Sequence, residues 1–197
     1  MPKPDVSEQR RNQIIEAAAT VFNERGLTIA RMEDVALAAG LSKGTLYLYF
    51  ISKDALIEAL LHRVFEPLDA ALNQLLAGND PVYERIQMYA LDNLQAFAQF
   101  TALYPLLLEL FALARRQTYA GNLFTVYYTR YLSHLTTLIE DGIHNGELRS
   151  SLDADKAAIA FLTTIDGILM MAMLQPEFMR PLIEGRHLMN ELVGGWR

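Results

Sequence analysis

The residues best placed to do chemistry stand in one short run, Ser42-Lys43-Gly44-Thr45-Leu46-Tyr47-Leu48-Tyr49. Ser42 can cap a helix that opens at Lys43. Leu46, Tyr47 and Phe50 then turn inward, leaving Lys43, Gly44, Thr45, Leu48 and Tyr49 outward. Lysine and threonine reach phosphates or base edges. A glycine lets two backbones approach, and free N–H groups at a helix start receive phosphate oxygens. This chemistry is binding of double-stranded nucleic acid. A solvated face on a small helical bundle has the same composition, so spacing alone leaves both readings open. Catalytic constellations are missing. The chain has no cysteine, no G-x-S-x-G, no glycine-rich phosphate loop and no H-E-x-x-H. His62, His134, His144 and His187 fall at unrelated spacings, without the pattern of a metal site. No enzyme activity, metal or cofactor is expected.

These residues need helices to position them. No run shows strand alternation, and alanine and leucine far outnumber valine. Ile14, Ala18, Val21 and Phe22 form an apolar stripe on a first helix over residues 7–25, with Ser7 as its cap and Gly26 as its stop. A second helix spans 32–39 and a third 43–50, joined by Ala39-Gly40-Leu41-Ser42. That is the spacing of a helix-turn-helix. Ser52 caps a fourth helix, which Pro67 should kink or split. Longer apolar helices are expected at 82–100, 105–116, 123–144, 153–175 and 181–193. The fold class is therefore all-α: an N-terminal three-helix helix-turn-helix unit over residues 1–53 and a larger helical bundle over 54–197.

The larger bundle carries aromatics with polar tips and flexible thioethers, which suit a pocket for a bulky apolar ligand. Phe97, Phe100, Tyr104, Phe111, Tyr127, Tyr128, Tyr131 and Phe161 are the candidate lining, and an ordinary core explains any one of them equally well. Asp166 and Glu109 stand inside apolar stretches, where a carboxylate needs a partner. Asp166 can pair with an arginine, meet a second copy of the chain or hold a cationic ligand. Arg115-Arg116 can hold an anionic ligand or complement the end of their helix. Phe161, Ile165, Leu169 and Met173, with Leu188 and Leu192, make more apolar surface than a monomer exposes, which points to a dimer interface.

Residues 11–56 carry a more specific signal. Arg11, Ile14-Ile15, Ala17-Ala18, Phe22 and Gly26 are followed by Asp34-Val35-Ala36, Ala39-Gly40-Leu41-Ser42-Lys43-Gly44-Thr45-Leu46-Tyr47, Tyr49-Phe50, Ser52-Lys53-Asp54 and Leu56. This ordered run resembles the DNA-binding domain of the tetracycline-repressor-like (TetR) family of bacterial regulators. The resemblance implies a homodimer on a pseudo-palindromic operator, read in the major groove, with a small-molecule inducer in the C-terminal domain. It implies that Ser42, Lys43, Gly44 and Thr45 open the recognition helix. Tyr47, Tyr49, Lys53 and Arg31 would contact the DNA backbone. The family usually has a Thr-Thr pair at the start of the second helix. Ala30-Arg31 stands there instead and forfeits a hydroxyl cap, which is worth about 0.5–2 kcal/mol.

The charge balance agrees once it is divided by region. The chain has 17 Lys+Arg, 23 Asp+Glu and a net charge of −6. Residues 1–56 hold seven of each sign, so the acidic excess lies wholly in the larger bundle. Operator affinity must then rest on a few placed contacts rather than bulk charge. The polar start of the chain has no signal-peptide core, and residues 157–176 carry Asp166 at their centre, so a cytoplasmic protein without a membrane segment is expected. Two other readings remain: a helix-turn-helix dimer without an inducer, and a helical small-molecule binder without DNA binding.

Overall fold

The computed structural model describes residues 6–98, 104–116, 118–175, 177, 191 and 193–197. Among the described residues the order is α1 (Val6–Arg25), α2 (Met32–Ala38), α3 (Lys43–Tyr49), α4 (Lys53–Ala77), α5 (Val82–Ala98), α6 (Tyr104–Ala114), α7 (Thr118–His144) and α8 (Ala154–Leu174), with no strand. The chain is all-α, as its periodicity requires. It forms two compact units. The first is Met1–Phe65 with Ala102–Leu123, and the second is Glu66–Thr101 with Phe124–Arg197.

In the first unit, α1 buries Ile14, Ala18, Val21 and Phe22, α2 buries Val35 and Ala36, and α3 buries Leu46 beside Phe50. Leu56, Ile57, Leu60 and Leu61 of α4 join them. Each such large side chain contributes about 1.5–3 kcal/mol. Gly26 ends α1 at φ +80°, a left-handed conformation that a side chain would strain, and its N–H donates to Phe22 O over 2.8 Å. Ser7 lies inside α1, which begins at Val6, and so is not its cap. The hydroxyl missing ahead of α2 is replaced from the other side. The Asp34 carboxylate accepts from the Arg31 N–H over 2.9 Å and pairs with Arg25 at 2.6 Å.

Two helix boundaries differ from expectation. Helix α7 starts at Thr118 rather than residue 123, because Gly121 belongs to the helix. A Cβ at Gly121 would lie 2.8 Å from Ala114 O, so the missing side chain allows the end of α6 to approach the start of α7. Helix α4 is not split at Pro67. The ring is exposed, and Leu72 and Leu75 beyond it stay buried, so the continuing apolar stripe outweighs one lost backbone bond.

The second unit buries Val82, Ile86 and Ala90 of α5, Tyr127, Tyr131, Leu135 and Ile139 of α7, and Ala158, Phe161, Ile165 and Ile168 of α8. Asp153 caps α8, accepting from the Lys156 N–H over 3.0 Å. Helix α8 is long and apolar enough to cross a membrane by length and composition alone. It carries Asp166 in mid-span and buries one face within its unit.

Candidate nucleic-acid interface and aromatic cluster

The outward face of α3 follows from its two ends. Ser42 Oγ accepts from the Thr45 N–H over 3.1 Å and lies 2.8 Å from Thr45 Oγ1, so the first turn is pinned. At the far end the Phe50 N–H donates to Leu46 O over 3.0 Å. Leu46 and Phe50, one turn apart, fix the inward line. Ser42, Lys43, Gly44 and Leu48 are then exposed, and Leu48 is 85% so. Tyr47, expected inside, is 38% exposed, while Tyr49, expected outside, is half-buried. Tyr47 follows Leu46 by about 100° around the helix, which carries it clear of the inward line.

Lys43 is not idle. Its ammonium pairs with the Glu33 carboxylate of α2 and lies 5.9 Å from the Tyr47 ring centre. The shared hydrogen bond raises the Lys43 pKa above the usual lysine range and lowers that of Glu33. Lys53, matched to a phosphate contact, is turned to a structural task. Its ammonium donates to Leu27 O and, over 2.7 Å, to Ala30 O, and it lies 5.7 Å from the Phe22 ring centre. Burial lowers its pKa, against the pull of Asp54 and Glu109. Arg31 is exposed at the start of α2. Arg11 of α1 lies 4.5 Å from the Phe50 ring centre.

The second unit gathers part of the expected ligand set. Tyr127 and Tyr131 of α7 lie 6.2 Å apart, with the Arg130 guanidinium over both rings. Arg130 pairs with Asp69 of α4, and the Tyr131 hydroxyl donates to Asp69 Oδ1 over 2.8 Å. Tyr128 points differently, stacking 6.5 Å from Phe124 and hydrogen-bonding Asp166 of α8. Burial raises the Asp166 carboxyl from the usual 3.8 to about 6, with the Tyr128 hydrogen bond acting against it. Burial and the Asp166 charge raise Tyr89 of α5 to about 12. Burial also raises Tyr128 and Tyr131 well above the phenol range. Phe161 stacks on Tyr89 at 6.4 Å and tilts against Trp196 at 6.2 Å.

Phe111 belongs to the first unit and is half-buried there. Phe100 and the side chains of Phe97 and Tyr104 lie outside the described residues. A cavity of about 100 Å³, lined by Gln74, Leu75, Arg85, Met88 and Tyr89 among others, opens between α4 and α5. Among the described residues no cluster of side chains could hold a metal ion.

Sequence reasoning misses three of these side chains and half-reads a fourth. Glu33 and Asp69 look like surface acids until the fold brings their cations over. Tyr89 has a readable signal, as an aromatic on the helix expected over residues 82–100. Glu109 stands out in the sequence as a carboxylate in need of a partner. That partner is the Leu27 N–H, over 2.5 Å.

Phe161 and Ile165, expected at a dimer interface, are buried within their own unit, with Phe161 at 0% exposure. Leu169 and Met173 are half-buried, and Leu188 and Leu192 lie outside the described residues. The exposed line of α8 runs instead through Ile159, Thr163, Gly167, Met171 and Leu174.

Comparison with known proteins bears on both units. Residues 14–60 match the family model of bacterial regulatory proteins, tetR family, and residues 81–193 match that of the BetI-type transcriptional repressor, C-terminal. The HTH-type transcriptional regulator YfiR of Bacillus subtilis is 31% identical over 84% of this chain and 81% of its own. The HTH-type transcriptional repressor KstR2 of Rhodococcus jostii is 27% identical over 79% and 77%. Among solved structures, FadR of Bacillus subtilis in complex with stearoyl-CoA has the same fold, with a TM-score of 0.77 and 23% identity over 94% of this chain and 99% of that one.

Proposed function

The chain belongs to the tetR family of bacterial regulatory proteins, and from that premise we propose a homodimeric repressor that a small, largely apolar or aromatic ligand releases from its operator. It is a transcriptional regulator and not an enzyme. The observation that carries the DNA assignment is the pinned, outward face of α3, with Lys43, Gly44 and Thr45 exposed or half-exposed behind the Ser42 cap. Two such helices, one per protomer, enter successive major grooves about 34–36 Å apart on a pseudo-palindrome. Thr45 and Lys43 stand nearest the bases, and Tyr47, Tyr49 and Arg31 flank the backbone. Lys53 supports this surface from behind by holding Leu27 and Ala30. The operator-binding reading also supports a cytoplasmic location.

The dimer reading is supported by the exposed apolar line of α8, where Met171 and Leu174 are large and Thr163 and Gly167 allow a second helix to come close. The ligand reading is supported by Asp166, Tyr128, Tyr89 and Phe161, which combine aromatic surface with one carboxylate. Such a group suits an apolar ligand carrying one donor or cationic group. FadR, solved in complex with stearoyl-CoA, is an example of this fold holding a small molecule with a long apolar chain. The cavity of about 100 Å³ beside Tyr89 is smaller than the ~300–1,000 Å³ usual for ligand sites, so binding selects a conformer with the helices further apart. The small cavity is also the observation that favours a second reading, an operator-binding dimer without an inducer.

One experiment separates the two. The full chain is screened by thermal shift against lipophilic cations, fatty acyl compounds and aromatics, and each stabilising compound is added to the protein on operator DNA. A compound that raises Tm and weakens operator binding supports the inducer reading. Stabilisation by no compound, or stabilisation without release, supports the second. Light scattering of the eluting protein checks the dimer, and a mass of one chain contradicts it.

A further inference from the structure

Helix α6, which packs on α1, also reaches the turn after α1 with a carboxylate. Glu109 Oε2 accepts from the Leu27 N–H over 2.5 Å, across 82 residues of sequence. Leu27 follows Gly26, the left-handed residue that ends α1, and its N–H belongs to the turn rather than to the helix. The carbonyl side of the same turn is held by Lys53 of α4, which donates to Leu27 O and Ala30 O. The turn between α1 and α2 is thus clamped at its N–H by α6 and at its carbonyls by α4. Its side chains add to the grip, since Leu27 and Ala30 are both buried. Glu109 also fills the space above Gly26, where an added Cβ would meet Oε1 at 3.1 Å.

What this turn fixes is the start of α2. Ala30 leads directly into Arg31, whose N–H is the one capped by Asp34. Helix α2 in turn positions α3 through the Gly40 turn, where the Leu41 N–H donates to Ala36 O over 2.8 Å and Gln13 Nε2 of α1 donates to Ala39 O over 2.9 Å. A hydrogen bond at Leu27 therefore acts on the orientation of α3 through two short, rigid links. Helix α6 is compact with the first unit, yet the chain enters and leaves its segment from the second.

We propose that Glu109 is a positioning residue for operator binding, holding by one hydrogen bond the turn that sets α2 and, through α2, the recognition helix. For its consequence the proposal rests on the operator-binding reading above, but its geometry does not. The side chain touches no nucleic acid. It acts by accepting one backbone hydrogen bond, so an acceptor of the same length should replace it.

The test compares the full-length wild type with Glu109→Leu, which removes the acceptor, and Glu109→Gln, which keeps one. Two quantities are read: hydrogen exchange at the Leu27 amide, and affinity for a duplex selected by the wild type from random DNA. In Glu109→Leu the Leu27 amide should exchange about tenfold faster, and operator affinity should fall about fivefold or more. The Ala30 amide, bonded to Gly26 O within the turn, should change much less. Glu109→Gln should stay within about twofold of wild type in both readouts. Unchanged Leu27 exchange in Glu109→Leu overturns the proposal, as does faster exchange with unchanged operator affinity. Equal impairment of both variants also overturns it, because charge or packing, not the acceptor, would then be at work. If Glu109→Leu does not fold by circular dichroism, Glu109→Asp, which withdraws the carboxylate by one methylene, takes its place with the same expectations. If the wild type selects no duplex, the operator reading fails, and the exchange comparison still decides the contact.

Discussion

Replacing Asp166 by asparagine should stabilise the protein at neutral pH. Asp166 is a carboxylate on the apolar helix α8, with the Tyr128 hydroxyl as its hydrogen-bond donor. Burial raises its pKa from the usual 3.8 to about 6. Between those values the folded chain keeps a proton that the unfolded chain has released. Stability therefore falls as pH rises through this window and stays at the lower level above it. At about 1.36 kcal/mol per pKa unit, the penalty at pH 8 is on the order of 3 kcal/mol. Asparagine keeps an acceptor for Tyr128 and never ionises. Asp166→Asn should thus gain up to about 3 kcal/mol over wild type at pH 8, and the two should converge near pH 4. Urea unfolding followed by circular dichroism at fixed chain concentration, from pH 4 to 8, measures this directly. A variant no more stable than wild type at pH 8 would refute the reasoning, and so would an offset that is the same at pH 4.

Three further substitutions probe other links. Glu33→Gln releases the Lys43 ammonium from its ion pair, so operator binding should tighten, and the salt dependence should steepen by about 0.9 for each additional phosphate neutralised; a flat response in both would show that Lys43 is already free on DNA. Lys53→Met removes the donor to Leu27 O and Ala30 O. It should lower unfolding free energy by about 1–3 kcal/mol while leaving the salt slope of operator binding unchanged, whereas a slope reduced by about one would restore Lys53 as a phosphate ligand. Gly121→Ala drives a methyl to 2.8 Å from Ala114 O, and chemical denaturation should register a loss of about 1–3 kcal/mol, with no loss if α6 and α7 can separate there.

The helices are legible in the sequence because their apolar stripes repeat at the helical period and glycines mark their ends. Gly26 and Gly40 both adopt the left-handed conformation expected of such stops. The outward face of α3 is legible for a similar reason, since Ser42 and the Leu46/Phe50 line are local signals. Long-range pairings are not. Glu33 to Lys43 spans ten residues and Glu109 to Leu27 spans 82, and no periodicity encodes either partner. Tyr47 and Tyr49 exchange places because a seven-residue helix gives too few positions to fix its rotation. Gly121 reads as a break although it lies within a helix, because a glycine that permits close packing looks the same in sequence as one that ends a helix. Asp166 is visible as an anomaly, but its Tyr128 partner depends on how α7 and α8 face each other.

The central claim is that α3 of this regulator reads operator DNA. The most direct measurement is the affinity of the full chain for its selected duplex across a salt series, for wild type and for Lys43→Ala. Lys43→Ala should bind more weakly, and its salt slope should be shallower by about 0.9 for each phosphate that the lysine no longer neutralises. Unchanged affinity and slope would contradict the assignment of α3 as the recognition helix.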